Sequence, residues 1–334
     1  HCSKRPSMLT SSPPPPATTT YTPSISTPAT DHIDTSASLQ AYLAAPLPYA
    51  IDDWVKAACP SHGCTAEKRF YCAKCVCWVG VPAGVQVPRL RLPLEVNIII
   101  ADNRKKSTAI QVGVVATESV RVWDTWTGGL EELAAEPWEV DETLVLFPSQ
   151  DAVTLNAMSF EELTVIKRVV VLDSRWNNTT TVLDHPGVRR LTKRVKLKNP
   201  PQESLCWRYH SKGEGLLSSA EALYYFFKDY EWLTHRRVKA VHSVTESSGQ
   251  NEDGEVMLEE IMHIFRLNIN VIKESYNKGA RKNLPLPMEA AGKARIKAHR
   301  SKQRLEAVAK KSKREILQKE GGVHHGSKEA IEDA

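Results

Sequence analysis

Runs of β-branched and other apolar residues recur along the middle of the chain and predict buried strands. Each run is four to eight residues long and almost continuously apolar. That pattern is typical of a parallel sheet covered on both faces. The predicted strands are Leu94–Ala101, Ile110–Ala116, Leu144–Phe147 and Arg168–Asp173.

Apolar residues at helical spacing predict two helices after these strands, Ser218–Trp232 and Val256–Glu274. The first begins with Ser218-Ser-Ala-Glu221, a capping-box pattern in which each of the two polar side chains accepts a hydrogen bond from the backbone at the helix start. Strand-like and helix-like segments together predict an α/β domain with a largely parallel sheet. The apolar faces comprise Leu223, Phe226, Phe227 and Tyr230 in the first helix, and Met257, Ile261, Ile264 and Phe265 in the second.

Composition divides the 334 residues into four segments. Residues 1–40 are rich in Ser, Thr and Pro and predict a disordered arm, because they cannot bury enough apolar surface to offset their ordering entropy. Residues 41–92 predict a small Cys-rich lobe, residues 93–277 the α/β domain, and residues 278–334 a basic tail. No apolar run reaches the roughly 18 residues that a membrane-spanning helix needs, so we expect no membrane association. The chain begins at His1, which leaves open whether a targeting segment precedes it.

Positive charge is concentrated near the C-terminus. The whole chain has a net charge of +5, whereas Lys278 to Lys319 alone contain 14 Lys and Arg against 3 Glu. Such a segment favours binding to nucleic acid, because basic side chains that pair with phosphates release counterions. The run Lys310-Lys-Ser-Lys-Arg314 is also typical of a nuclear localisation signal. A solvated tail with neither role is the alternative.

The cysteines predict a zinc site. Five of the seven lie between Cys59 and Cys77, which favours metal binding in a reducing compartment over a disulfide framework. Two knuckles at this spacing can hold one zinc ion tetrahedrally, and four thiolates leave no position open for water, so the predicted zinc is structural. Cys77 and His62 are further candidates, and buried cysteines without a metal are the alternative. The predicted ligands are Cys59, Cys64, Cys72 and Cys75.

Polar residues follow the predicted strands, at the edge where open parallel sheets bind ligands. Asp173 ends one buried strand and is a candidate to take a proton or hold a substrate N–H, with a role as helix cap as the alternative. The turn after the preceding strand carries Pro148 and Ser149, which can face a ligand. Arg208 suits bidentate binding of a carboxylate. The helix start at Ser218 suits an anion, but on the pattern alone a surface loop and an ordinary helix cap are the favoured interpretation of these residues.

The order of these motifs resembles the order found in the DTW-domain proteins (TDD superfamily), which are tRNA-uridine aminocarboxypropyltransferases. The resemblance spans roughly Pro60 to Tyr230. The name-giving Asp-x-Thr-Trp motif reads Asp173-Ser-Arg-Trp176, with Arg175 where Thr is usual. The other matching motifs are Phe70-Tyr-Cys72, Lys106-Ser-Thr-Ala109, Leu146-Phe-Pro-Ser149, Asp151-Ala152, Cys206-Trp-Arg208, Leu217-Ser-Ser-Ala-Glu-Ala222 and Leu223-Tyr-Tyr-Phe226.

The resemblance implies a SPOUT-like fold, in which a deep trefoil knot in an α/β domain forms the pocket for S-adenosylmethionine. It implies transfer of the 3-amino-3-carboxypropyl group from this donor to N3 of a tRNA uridine. Asp173 would then hold or remove the N3 proton, and Trp176 would stack on a base or pack in the core. The residues implied for the donor pocket are Leu146, Phe147, Pro148, Ser149, Asp173, Arg208, Ser218 and Ser219.

Two other functions stay open for the same fold. One is a catalytically inactive RNA-binding protein, which Arg175 motivates. The other is an S-adenosylmethionine-dependent RNA methyltransferase. The mass of the product separates these alternatives, because an aminocarboxypropyl group is much heavier than a methyl group.

Overall fold

The computed structural model describes most of the central part of the chain. The predicted arm up to residue 34 and the basic tail lie outside it, apart from two tail residues. Helix α1 starts at Thr35, inside the segment predicted as an arm, and buries Leu39 and Leu43 in the main core. The described residues are 35–174, 179–206, 216–242, 257–277, Ser301 and Leu305.

The described residues form eight α-helices and ten strands. The helices are α1 Thr35–Ala44, α2 Ala109–Val115, α3 Gly129–Ala135, α4 Phe160–Thr164, α5 Thr179–Asp184, α6 Pro186–Arg189, α7 Ser219–His242 and α8 His263–Asn277. The strands are β1 Ala57–Ala58, β2 Glu67–Lys68, β3 Tyr71–Cys72, β4 Cys77–Trp78, β5 Glu95–Ile100, β6 Val120–Asp124, β7 Thr143–Leu146, β8 Val153–Thr154, β9 Arg168–Asp173 and β10 Arg194–Lys196.

Six of these strands form one parallel sheet in the order β6-β5-β9-β7-β10-β8. Alternate residues of the central strands enter two separate cores, so that Ile98 packs on one face and Ile99 on the other. Helices α2 and α7 cover the first face, and α3, α5 and α6 cover the second. The prediction of an α/β domain with a parallel sheet is confirmed, because a sheet buried on both faces requires the continuous apolar runs seen in the sequence.

The prediction of a strand at Ile110–Ala116 is wrong, since this segment forms helix α2. All seven residues of α2 are buried, because the helix packs between the sheet on one side and α8 with the cysteine-containing strands on the other. A short helix that is buried on all sides, and almost continuously apolar, cannot be distinguished from a buried strand by its periodicity. The edge position of the sheet is taken instead by β6, a strand with alternating polar and apolar residues that the sequence analysis did not identify.

The two predicted helices are present. Helix α7 buries the predicted apolar face against the sheet. The second prediction divides into a 3₁₀ turn, Leu258–Met262, and helix α8. No helix among the described residues is long and apolar enough to cross a membrane.

Helix α8 also anchors the segment that precedes the sheet. The His263 ring lies 3.2 Å from the Tyr42 hydroxyl and 2.6 Å from the Tyr49 hydroxyl. The Arg266 guanidinium donates hydrogen bonds to the carbonyls of Ala45 and Pro46. Burial lowers the pKa of His263 to about 4, so the ring is neutral at pH 7 and forms these contacts without the cost of a buried charge.

Candidate active site

A cavity of about 540 Å³ opens at the carboxyl ends of the central strands β5, β9 and β7. We call it the sheet-edge cavity. It lies where ligands bind in open parallel sheets, and six of the predicted site residues line it. These are Leu146, Phe147, Pro148, Asp173, Ser218 and Ser219.

Of the other predicted site residues, Ser149 is described and does not line the cavity. Ser149 lies on the turn after β7, and the nearby Asp151 is exposed and pairs with Arg194 at 3.2 Å. Trp176 and Arg208 lie outside the described residues, within the stretches 175–178 and 207–215.

Asp173 is fixed through both its backbone and its side chain. Its carbonyl accepts a hydrogen bond from Ala101 N at 3.0 Å, next to the end of β5. Its Oδ2 accepts a short hydrogen bond from Ser107 Oγ, and the same Ser107 oxygen accepts from Ile110 N at 3.0 Å in the first turn of α2. The carboxylate is therefore held in a defined position while it remains partly exposed in the cavity.

The predicted capping box at the start of α7 is confirmed. Ser218 N donates to Glu221 Oε2 at 2.9 Å, and Glu221 N donates to Ser218 Oγ at 3.4 Å. The fully buried Glu221 also accepts from Ser204 Oγ and Leu205 N, both at 2.6 Å. One carboxylate thus joins the helix start to the segment around Ser204, and both border the cavity.

Several polar residues that line the cavity have no role predicted from the sequence. Ser107 and Thr108 belong to a motif that resembles the DTW family, and Thr108 Oγ1 accepts from Ala220 N at 3.3 Å, which connects the starts of α2 and α7. The sequence signal that could have identified them is a lysine or a hydroxyl-bearing residue shortly after a predicted strand. The unassigned residues are Asp102, Asn103, Lys106, Ser107, Thr108, Ser174, Thr179, Lys196 and Ser204.

The cavity offers charges of both signs beside an apolar wall. Asp102 and Asp173 contribute carboxylates, and Lys106 and Lys196 contribute ammonium groups. Leu146 and its neighbours on the turn after β7 supply apolar surface. Such a lining can bind a ligand that combines a zwitterionic end with a flat ring, because each part meets complementary groups.

A second cluster of reactive groups lies in residues 57–78, which we call the cysteine segment. It consists of two short hairpins, β1–β2 and β3–β4. The Sγ atoms of the four predicted zinc ligands all lie within 4.8 Å of one another. Cys77 is adjacent, with its Sγ 3.6 Å from that of Cys59, whereas His62 is exposed and not part of the group.

The donor set fits a structural zinc ion. Tetrahedral coordination with Zn–S bonds of about 2.3 Å places sulfur atoms roughly 3.8 Å apart, and Cys64 Sγ lies 3.9 Å from Cys72 Sγ. Burial raises the pKa of Cys59, but hydrogen bonds from Ser61 and the neighbouring thiols lower it to about 6. Burial raises the pKa of Cys75 to about 12. A cation would stabilise the thiolates that this crowding otherwise disfavours.

The family of the chain follows from a match to the DTW-domain model over residues 69–264, which is more than half of the chain. The chain belongs to the DTW-domain family. The match includes the sheet, the sheet-edge cavity, Asp173 and the start of α7. Of the four clustered cysteines it includes Cys72 and Cys75, whereas Cys59 and Cys64 precede it.

Curated relatives of this DTW-domain chain carry one name, tRNA-uridine aminocarboxypropyltransferase 1. The mouse protein is 28% identical over 210 residues, which cover 50% of this chain and 66% of the relative. The Xenopus laevis protein is 26% identical over 220 residues, covering 52% and 71%. The human protein is 27% identical over 211 residues, covering 50% and 66%. No solved structure matches the chain.

In this DTW domain the cysteine segment is in direct contact with the elements that form the cavity. Arg104, in the loop after β5, donates to the carbonyl of Lys74 at 2.7 Å. Val76 has a φ of 53°, and a Cβ added to Gly113 of α2 would lie 2.7 Å from its Cγ1. The absence of a side chain at Gly113 therefore allows the second knuckle to pack closely on α2, whose first turn bonds to Ser107.

Proposed function

We propose that this chain is a tRNA-uridine aminocarboxypropyltransferase, with S-adenosylmethionine as the donor and N3 of a uridine as the acceptor. The observation that carries the proposal is the position of Asp173, held by Ser107 at the rim of a cavity with charges of both signs. The names of the mouse and frog relatives support the reaction class. A knot of the SPOUT class, as the family resemblance implies, is part of the proposal.

The lining suggests how the donor is held. The apolar turn of Leu146, Phe147 and Pro148 would contact the adenosine, and Ser219 with Arg208 would hold the amino-carboxylate end. Ser218 acts through Glu221, because its hydroxyl donates to that carboxylate at 2.6 Å. Fixing both ends of the donor determines which carbon bonded to sulfur lies next to the nucleophile. Such positioning can supply a large part of the reduction in the activation free energy.

The reaction needs a proton acceptor and a defined line of attack. S-adenosylmethionine supplies a sulfonium that makes its adjacent carbons electrophilic. The uridine N3–H proton passes to the Asp173 carboxylate, and N3 forms a bond to the γ-carbon of the aminocarboxypropyl group. The carbon–sulfur bond breaks, its electrons stay on sulfur, and methylthioadenosine leaves. Asp173 must be ionised for this step, and its Oδ2 accepts a hydrogen bond from the Ser107 hydroxyl, which fixes the position of the carboxylate.

The remaining parts of the proposal concern the rest of the chain. A zinc ion on Cys59, Cys64, Cys72 and Cys75 would be structural, because four protein ligands leave no open position. The basic segment 278–334 would bind tRNA phosphates and direct the protein to the nucleus.

The proposal is tested by substituting Asp173 and measuring nucleoside products by mass spectrometry. We expect Asp173→Asn to reduce formation of aminocarboxypropyl-uridine on unmodified tRNA by about 10²- to 10⁴-fold, since it removes the proton acceptor. The matched control is Asp141→Asn, an exposed aspartate just before β7 that does not line the cavity. Unchanged turnover in Asp173→Asn would remove Asp173 from the mechanism, and a product heavier by one methyl group would favour a methyltransferase.

A further inference from the structure

Trp126 is the most exposed large apolar side chain among the described residues, at 75%. It differs from Trp123, three residues earlier on β6, which is 6% exposed and donates its indole N–H to Asn97 at 2.8 Å. Single exposed apolar side chains are common on protein surfaces. The question is therefore whether the surroundings of Trp126 give its indole a partner.

The turn that carries Trp126 is fixed by Asp124, the last residue of β6. Asp124 Oδ1 accepts from Trp126 N at 3.0 Å, and its Oδ2 lies 3.1 Å from Arg104 Nε. A Cβ added to Gly129 would lie 2.5 Å from Asp124 N, so Gly129 allows the chain to return closely across the strand end. These contacts therefore hold the backbone at Trp126 in a defined position.

This position is next to the sheet-edge cavity. Thr125 N donates to the carbonyl of Ile100 at 3.0 Å, and Ile100 lines the cavity. The loop after β5 connects the two places, because its Arg104 contacts Asp124 and its Lys106 lines the cavity. Lys105, between them, is exposed. An exposed indole, a run of three basic residues and the cavity thus follow one another along one edge of the sheet.

We propose that Trp126 and the exposed Lys105 and Lys106 of the loop after β5 form a binding surface for single-stranded RNA beside the cavity, with the indole stacked on a base that flanks the target uridine. The inference rests on the proposed function for its substrate. A uridine that enters the cavity must leave the base stack, so its neighbour loses a stacking partner. An aromatic side chain replaces that partner, and the two lysines pair with the phosphates between the two nucleotides.

The inference is tested by measuring the binding of unmodified tRNA to the full chain by fluorescence anisotropy. We expect Trp126→Ala to weaken binding about tenfold, and Trp126→Phe to keep most of the affinity, because a phenyl ring still stacks. The matched control is Val153→Ala, which removes an apolar side chain that is 47% exposed on β8, at the opposite edge of the sheet. We expect Lys105→Ala to lower the salt dependence of binding by about one phosphate contact.

Several results would overturn the inference. Equal tRNA binding by Trp126→Ala and wild type is one, and absence of tRNA binding by the wild type is another. Dissociation of a wild-type oligomer in Trp126→Ala would assign the indole to a contact between copies of the chain. Failure of the proposed function is a separate result: weaker binding by Trp126→Ala, together with no modified uridine from the wild type, would retain the RNA surface and exclude the transfer reaction.

Discussion

The cysteine segment and the sheet-edge cavity both gather reactive groups, but they do so with different surroundings. In the cysteine segment four thiols lie within 4.8 Å of one another on a small core of their own. At the sheet edge, charged and hydroxyl groups from several distant segments surround a cavity of about 540 Å³ above a large apolar core. The first arrangement is closed by its own ligands and suits a structural ion. The second stays open and suits a substrate.

The largest expected effect comes from removing thiols of the closed site. We expect the double variant Cys72→Ser, Cys75→Ser to lose zinc and to unfold the cysteine segment, because binding of structural zinc contributes on the order of 10 kcal/mol to folding. Metal content by mass spectrometry and thermal unfolding measure both effects. Cys77→Ser is the matched control, since Cys77 lies beside the four ligands without belonging to the group. Equal zinc content in the double variant and wild type would contradict the site.

A smaller effect is expected at Glu221, on which the open site depends. Glu221→Ala leaves several donors without their acceptor, among them Ser204 Oγ and Leu205 N. Each unsatisfied buried donor costs about 1–3 kcal/mol, so we expect a loss of about 3 kcal/mol in the free energy of unfolding and a raised KM for the donor. Denaturant unfolding and steady-state kinetics measure these changes.

The control for Glu221 is Glu132→Ala, which removes an exposed glutamate of α3 and should change stability by less than about 0.5 kcal/mol. If Glu221→Ala and Glu132→Ala unfold at the same denaturant concentration, the buried carboxylate does not organise the rim of the cavity.

The smallest effect tests the contact between the two regions. Gly113→Ala places a Cβ 2.7 Å from Val76 Cγ1, and we expect overpacking to cost about 1–3 kcal/mol in unfolding free energy, less roughly 1 kcal/mol regained from helix propensity. Adding Val76→Ala removes the clashing methyl group and should recover part of the loss. A double-mutant cycle on unfolding free energies measures the coupling between the two substitutions. A coupling energy of zero would mean that Val76 and position 113 of α2 are not in close contact.

The two regions also differ in how far the sequence predicts them. The four cysteines fall within 17 residues, so their spacing indicates a common site. Asp173 and the turn at Leu146 are predictable as well, because they follow strongly apolar strands. The partnership of Ser107 with Asp173 is not, since it arises from β5 lying next to β9.

The error at α2 has the same origin as the missed partnership. Ile110–Ala116 is buried on every side, and almost continuously apolar, because the cysteine segment covers the face that would otherwise meet solvent. A contact between segments far apart in sequence therefore removed the periodicity from which a helix is recognised. Glu221 is a partial success: its capping role is visible in sequence, whereas its bonds to Ser204 and Leu205 depend on the fold.

The proposed transfer of an aminocarboxypropyl group to uridine at the sheet-edge cavity predicts one specific labelled product. The most direct measurement uses S-adenosylmethionine with ¹³C in its aminocarboxypropyl chain and an unlabelled methyl group, incubated with the full chain and unmodified tRNA, followed by mass spectrometry of the nucleosides. We expect a uridine that carries the whole labelled group, and we expect this product to be lost in Asp173→Asn. A uridine carrying an unlabelled methyl group, or no modified uridine from a folded protein that binds tRNA, would contradict the proposed transfer.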